Sequence, residues 1–136
     1  VVSDIERIGD YAENICEYTE RLIKANTPFS DSAKAEVCEM NNAIQMLYAT
    51  TIRVFNKLDV QALMQAETYE SLVDDYKKNL TIAHVARLEE GKCSAESGAV
   101  FLSLVSNMER IADHMMNVAK SITAYTKTPV IHTITA

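Results

Sequence analysis

An all-α fold, an antiparallel up-down helical bundle, is predicted by three observations. Only three Gly and two Pro interrupt 136 residues. Apolar residues recur at helical spacing over long segments, and Ala, Leu, Glu and Met are abundant. The breaks between those segments are short, which makes successive helices antiparallel neighbours.

The first helix is predicted over residues 3–25, where Ile5, Ile8, Ala12, Ile15, Leu22 and Ile23 share one side. Asn26-Thr27-Pro28 ends it, because Pro cannot continue the ladder and biases its predecessor away from helix. Ser30, Asp31 and Ser32 offer N-caps for a second helix, whose apolar side runs from Val37 through Met40, Ile44, Leu47, Tyr48, Val54 and Phe55 to Leu58. A short break at residues 56–59 leaves Asp59 to cap a third helix reaching about residue 89, with Tyr69, Leu72, Val73, Tyr76, Leu80 and Ala83 inward. Glu90-Gly91-Lys92-Cys93-Ser94 reads as a C-cap glycine, a tight loop and a new N-cap. The fourth helix is expected to run to about residue 126, where Thr128-Pro129 stops it. The β-branched tail, residues 128–136, carries no element signal.

Composition limits the function. A net charge of −6 and a pI near 5.0 disfavour a nucleic-acid partner, since phosphate backbones require clustered Lys and Arg. Cys16, Cys38 and Cys93 are odd in number and widely spaced, which fits reduced thiols in the cytosol better than a disulfide framework. No apolar run approaches the roughly 20 residues that a bilayer span needs, so this fragment is not expected to insert into a membrane. It begins on Val, without a leader pattern, and reads as a piece of something longer. Phosphate-binding Gly loops, GxSxG elbows and Cys–His pairs within one motif are absent, which disfavours an enzyme.

One motif is written twice. Residues 3–16 read SDIERIGDYAENIC and residues 106–119 read SNMERIADHMMNVA. Ser3, Glu6, Arg7, Ile8, Asp10 and Asn14 return as Ser106, Glu109, Arg110, Ile111, Asp113 and Asn117, as expected for a duplicated helical unit. Each copy sets a Glu four residues before an Asp. That places two carboxylates on one helix face, about 5–6 Å apart at Cβ, where their repulsion invites a hard cation. A third ExxxD, Glu70 and Asp74, lies in the third helix. Pairs from antiparallel helices can meet and supply four carboxylates. The competing reading is a solvated acidic face, or carboxylates balanced by Arg7 and Arg110. His114 points about 100° from Asp113 and is expected to pack or to orient a neighbour rather than to ligate. The ExxH spacing of ferritin-like oxidases is missing, because Val73 and Ala112 stand where the His would be.

The repeats, here ERIGDYAENIC and ERIADHMMNVA, resemble the signature helix of the PhoU family of bacterial phosphate-transport regulators. Residues 84–119 sharpen the likeness toward the cytoplasmic C-terminal domain of sodium/phosphate cotransporter-like membrane proteins. The resemblance implies one complete three-helix unit over residues 27–127, preceded by the last helix of a truncated unit, residues 1–26. It implies metal ligation by Glu70, Asp74, Glu109 and Asp113, with Glu6 and Asp10 as the counterpart pair of the truncated unit. The ion would be iron, zinc or another divalent cation. The implied role is regulation of phosphate uptake through contact with a phosphate transporter or its membrane domain, at the inner face of the cell membrane. The first helix lacks the two helices that would cover it, so self-association through it, as a homodimer, is expected.

Overall fold

The computed structural model describes residues 1–126, which form four long helices and one short one: α1 (Val2–Ala25), α2 (Asp31–Lys57), α3 (Val60–Glu89), α4 (Ala95–Lys120) and α5 (Thr123–Thr126). The expected bundle is the observed architecture. Boundaries follow local chemistry. The Ser30 hydroxyl accepts from Ala33 N–H, Asp59 accepts from the Gln61 and Ala62 N–H groups, and Ser94 accepts from Ser97 N–H. Each satisfies donors that a helix start leaves orphaned. At the end of α3, Gly91 adopts φ +69° while Lys92 N–H reaches Arg87 C=O and Gly91 N–H reaches Leu88 C=O. This is a Schellman closure, and it reverses the chain into α4.

Two expectations needed correction. The fourth helix does not run unbroken to residue 126: it ends at Lys120, where Ser121 N–H bonds back to Asn117 and Val118, and α5 follows as one turn. On α2, Tyr48, Phe55 and Leu58 are exposed although they sit on the stripe assigned to the core, as is Leu72 on α3. The buried stripe is narrower than the apolar one, because among the described residues α2 packs mainly on α3 and α4. The tail beyond residue 126 lies outside the described residues.

The core belongs to α2, α3 and α4. Met40, Leu47 and Val54 from α2 meet Ala66 and Val73 from α3 and Phe101, Val105, Ala112 and Met116 from α4, with Ile122 closing one end. Gly98 lets α4 start close against α3, since a Cβ there would stand 2.7 Å from Leu88 Cδ2 and 3.1 Å from His84 Nε2. By contrast α1 buries no residue fully and has α4 as its main neighbour. Much of that seam is polar and antiparallel: Asp4 accepts from Asn117 and meets His114 at 2.9 Å, Asn14 donates to Asn107, and Arg21 pairs with Glu96.

Candidate metal centre

The helical period sets Glu70 and Asp74 one turn apart on α3, and Glu109 and Asp113 one turn apart on α4. Because α3 and α4 run antiparallel around Val73 and Ala112, both fully buried, the two carboxylate pairs face each other at the edge of the core. Glu70, Asp74 and Asp113 each offer an oxygen, and these atoms lie within 4.8 Å of one another. All three side chains are partly buried. Glu109 borders this group but turns toward Lys77, whose Nζ stands 3.2 Å from Oε2.

Electrostatics report the strain of the arrangement. Burial pushes the Asp113 carboxyl up to about 7, helped by a hydrogen bond with Glu109 and by the negative charges of Glu109, Asp74 and Glu70. Glu70 is raised by burial and by Asp74, with a hydrogen bond to Asp113 acting against the rise. Asp74 is raised by burial and by Glu109, while Lys77 and Lys78 pull it down. Near neutral pH Asp113 is therefore still partly protonated. An all-oxygen donor set at this spacing suits a divalent cation, which would replace that proton and remove the repulsion.

Glu6 and Asp10 are not part of this centre. Both are exposed on α1, and among the described residues no carboxylates from another helix join them in a cluster. In the competing reading Arg7 and Arg110 balance the carboxylates; both are exposed, and it is Lys77 that stands beside Glu109. His114 stays outside the cluster. It bonds Asp4 and stacks on Tyr11, with ring centroids 5.8 Å apart, and so ties α1 to α4.

A PhoU domain model matches residues 37–122, more than half of the chain. The chain belongs to the PhoU family. The chain is 26% identical over 127 residues to the phosphate-specific transport system accessory protein PhoU homolog 1 of Thermotoga maritima, covering 88% of this chain and 51% of that protein. A PhoU homolog of the same description from Burkholderia sp is 28% identical over 123 residues, 88% of this chain and 51% of its own. One from Pseudomonas aeruginosa is 25% identical, covering 89% and 49%. The chain thus spans about half the length of the curated relatives it matches. No solved structure matches it.

Within this PhoU chain the sequence motif located the carboxylates but missed a second polar constellation. His84 of α3 is 2% exposed, stacks on Phe101 at 4.3 Å, and comes within 3.9 Å of Cys93 Sγ from the following loop. Arg87 beside it is clamped by both oxygens of Glu36 at 2.8 Å. No single motif contains the pair, because the Schellman turn at Gly91 brings the two together. Among the described residues no helix is long and apolar enough to cross a membrane.

Proposed function

We propose that this chain is a metal-binding regulatory domain of phosphate transport, acting through protein contact rather than catalysis. The observation that carries the metal half is the convergence of Glu70, Asp74 and Asp113 from two helices. The transport half rests on relatives described as accessory proteins of phosphate-specific transport systems. In this reading a divalent cation (iron, zinc or another) is held by Glu70, Asp74 and Asp113, with Glu109 released from Lys77 as a fourth donor. The ion supplies charge that clips α3 to α4. Because α4 also carries α1 through Asn107 and His114, tightening the α3–α4 seam steadies the surface that α1 presents. The partner is a phosphate transporter or its membrane domain, met at the cytoplasmic face of the membrane as part of a longer, cotransporter-like protein. Self-association as a homodimer uses the exposed side of α1.

Metal titration followed by melting temperature tests this function. A ligand that binds only the folded state stabilises by mass action, so the wild type should gain melting temperature with cation while Glu70→Gln and Asp113→Asn should not. Equal shifts in all three would remove these residues as ligands. A metal-free interaction module is the second reading. The Lys77–Glu109 pair and the raised Asp113 favour it, since together they relieve much of the repulsion without an ion. It expects no cation-dependent gain.

A further inference from the structure

A cavity of about 430 Å³ lies between the α1–α2 turn, the last turns of α3 and the first turn of α4. Ser97 at its wall is about 24 Å along α4 from Asp113, so the two sites are separate. In a chain of net charge −6, the cavity is lined by two cations, Arg87 and Lys92, by hydroxyl groups, by His84 and Cys93, and, among the described residues, by no carboxylate. Two of its polar groups want a partner. Among the described residues the buried Thr27 hydroxyl oxygen has no hydrogen-bond partner, a costly state unless something else fills the role. Arg87 Nη2 lies 3.3 Å from His84 Nδ1. A guanidinium only donates, so Nδ1 accepts and the proton of the neutral ring sits on Nε2. That Nε2–H has only the weakly accepting sulfur of Cys93, at 3.9 Å.

The surroundings favour negative charge. Ser30 and Ser94, the N-caps of α2 and α4, both line the cavity, so two positive helix ends open near it. Glu36 fixes the Arg87 guanidinium without lining the cavity. Among the described residues Lys92 pairs with Glu90, the two side chains 67% and 55% exposed. Pairs of that kind contribute little and exchange partners readily.

We propose that this cavity is an oxyanion site for a phosphate group, carried either by free inorganic phosphate or by a small phosphorylated metabolite. His84 Nε2–H donates from the wall, the Thr27 hydroxyl joins it by turning out of its buried position, and Lys92 closes on the anion from the open side. A phosphate group fills part of the volume and leaves room for the rest of a small metabolite. The site stands on its own residues and does not depend on the metal centre.

Calorimetric titration of the full chain with sodium phosphate, glycerol 3-phosphate and, at matched ionic strength, sodium sulfate decides the matter. Saturable binding of phosphate or glycerol 3-phosphate supports the site: phosphate alone names the free ion, glycerol 3-phosphate alone names the metabolite, and saturation by sulfate alone overturns a site for a phosphate group. Lys92→Gln and Thr27→Val should each weaken binding about five- to tenfold, while Thr27→Val keeps or raises the melting temperature because it removes an unpartnered buried hydroxyl. Asp113→Asn should bind the anion as the wild type does, which separates this result from failure of the metal reading. No saturation up to about 10 mM, wild-type affinity in both cavity variants, or loss of binding in Asp113→Asn would overturn the proposal.

Discussion

Lys77 Nζ lies 3.2 Å from Glu109 Oε2, and the two belong to the helices that supply the candidate metal ligands. The Glu109 side chain is 12% exposed, so it feels this ammonium more than a surface carboxylate would. A fixed positive charge at that position competes with a cation. Lys77→Gln should therefore tighten the midpoint for divalent metal roughly two- to fivefold, the range of a partly exposed ion pair. It should also lower the melting temperature measured in chelator. Calorimetric metal titration reads the first effect and a thermal melt the second; an unchanged midpoint would place Lys77 outside the site's electrostatics.

Stability without metal should fall as pH rises from about 5 to 8. The Asp113 carboxyl is raised to about 7 in the folded chain against 3.8 as its ordinary value, so between these the folded state holds a proton that the unfolded state has lost. The resulting stability is fully present below the ordinary value and disappears as pH climbs through about 7. Glu70 and Asp74, also raised, act in the same direction. His84 works against them: burial and Arg87 lower its pKa, so it costs stability as pH falls below its ordinary 6.5. Comparison with Asp113→Asn cancels that background. The difference in melting temperature between pH 5 and pH 8, in chelator, should be larger in the wild type than in Asp113→Asn. Equal differences would mean that Asp113 ionises normally.

How far the sequence carried depends on what each residue needs from elsewhere in the chain. Helix ends were legible because capping is local: Asp59, Ser94 and Gly91 act on groups within a few residues. The repeated motif marks the face of α4 on which Glu109 and Asp113 meet the carboxylates of α3. On α1 the same spacing places Glu6 and Asp10 on an equivalent face, yet a motif does not state which neighbour that face will find. Here α4 meets a neighbouring face about 100° round the helix, marked by Asp4, Tyr11 and Tyr18. The His84–Cys93 pairing and the Thr27 cavity were hidden for a related reason, since they arise where two turns and two helix starts come together. On α3, apolar residues such as Met64 and Ile82 lie outside the buried stripe, so periodicity alone could not fix which way that helix faces.

Leu58 should be replaceable with profit. It stops α2 at φ 52° and ψ 36°, the left-handed region that a side chain disfavours by about 1–2 kcal/mol. Its side chain is half exposed, so little packing is lost on its removal. Leu58→Gly should raise stability by about 1 kcal/mol, once the greater freedom of an unfolded glycine is subtracted. Chemical denaturation with an unchanged slope would register this as a higher midpoint. A lower midpoint would show that the exposed Leu58 side chain contributes more by contact than its backbone costs.

The remaining prediction concerns α1, the helix with no fully buried residue. Asn107 of α4 accepts from Asn14 and donates to Tyr18 and to its own Ser103 carbonyl, which makes it the central polar tie of the seam. Local opening free energy follows buried contact and protected hydrogen bonds. Amide exchange should therefore be faster over Val2–Ala25 than over Asp31–Lys120, and Asn107→Ala should accelerate it roughly tenfold in α1 while leaving the α2–α4 core unchanged. Concentration brings in the proposed dimer. Ile5 and Ile23, 58% and 73% exposed, share a stripe with Ala12 and Cys16 that lies beside the acidic face of Glu6, Glu13, Glu17 and Glu20. A second copy that covers this stripe, while keeping the two acidic faces apart, slows exchange in α1 as protein concentration rises. Ile5→Lys with Ile23→Lys should abolish that dependence and sediment as a 15.2 kDa monomer. Wild-type protein that sediments as the same monomer at micromolar concentration, with exchange independent of concentration, would leave α1 as a lone flank of the bundle and end the case for a dimer.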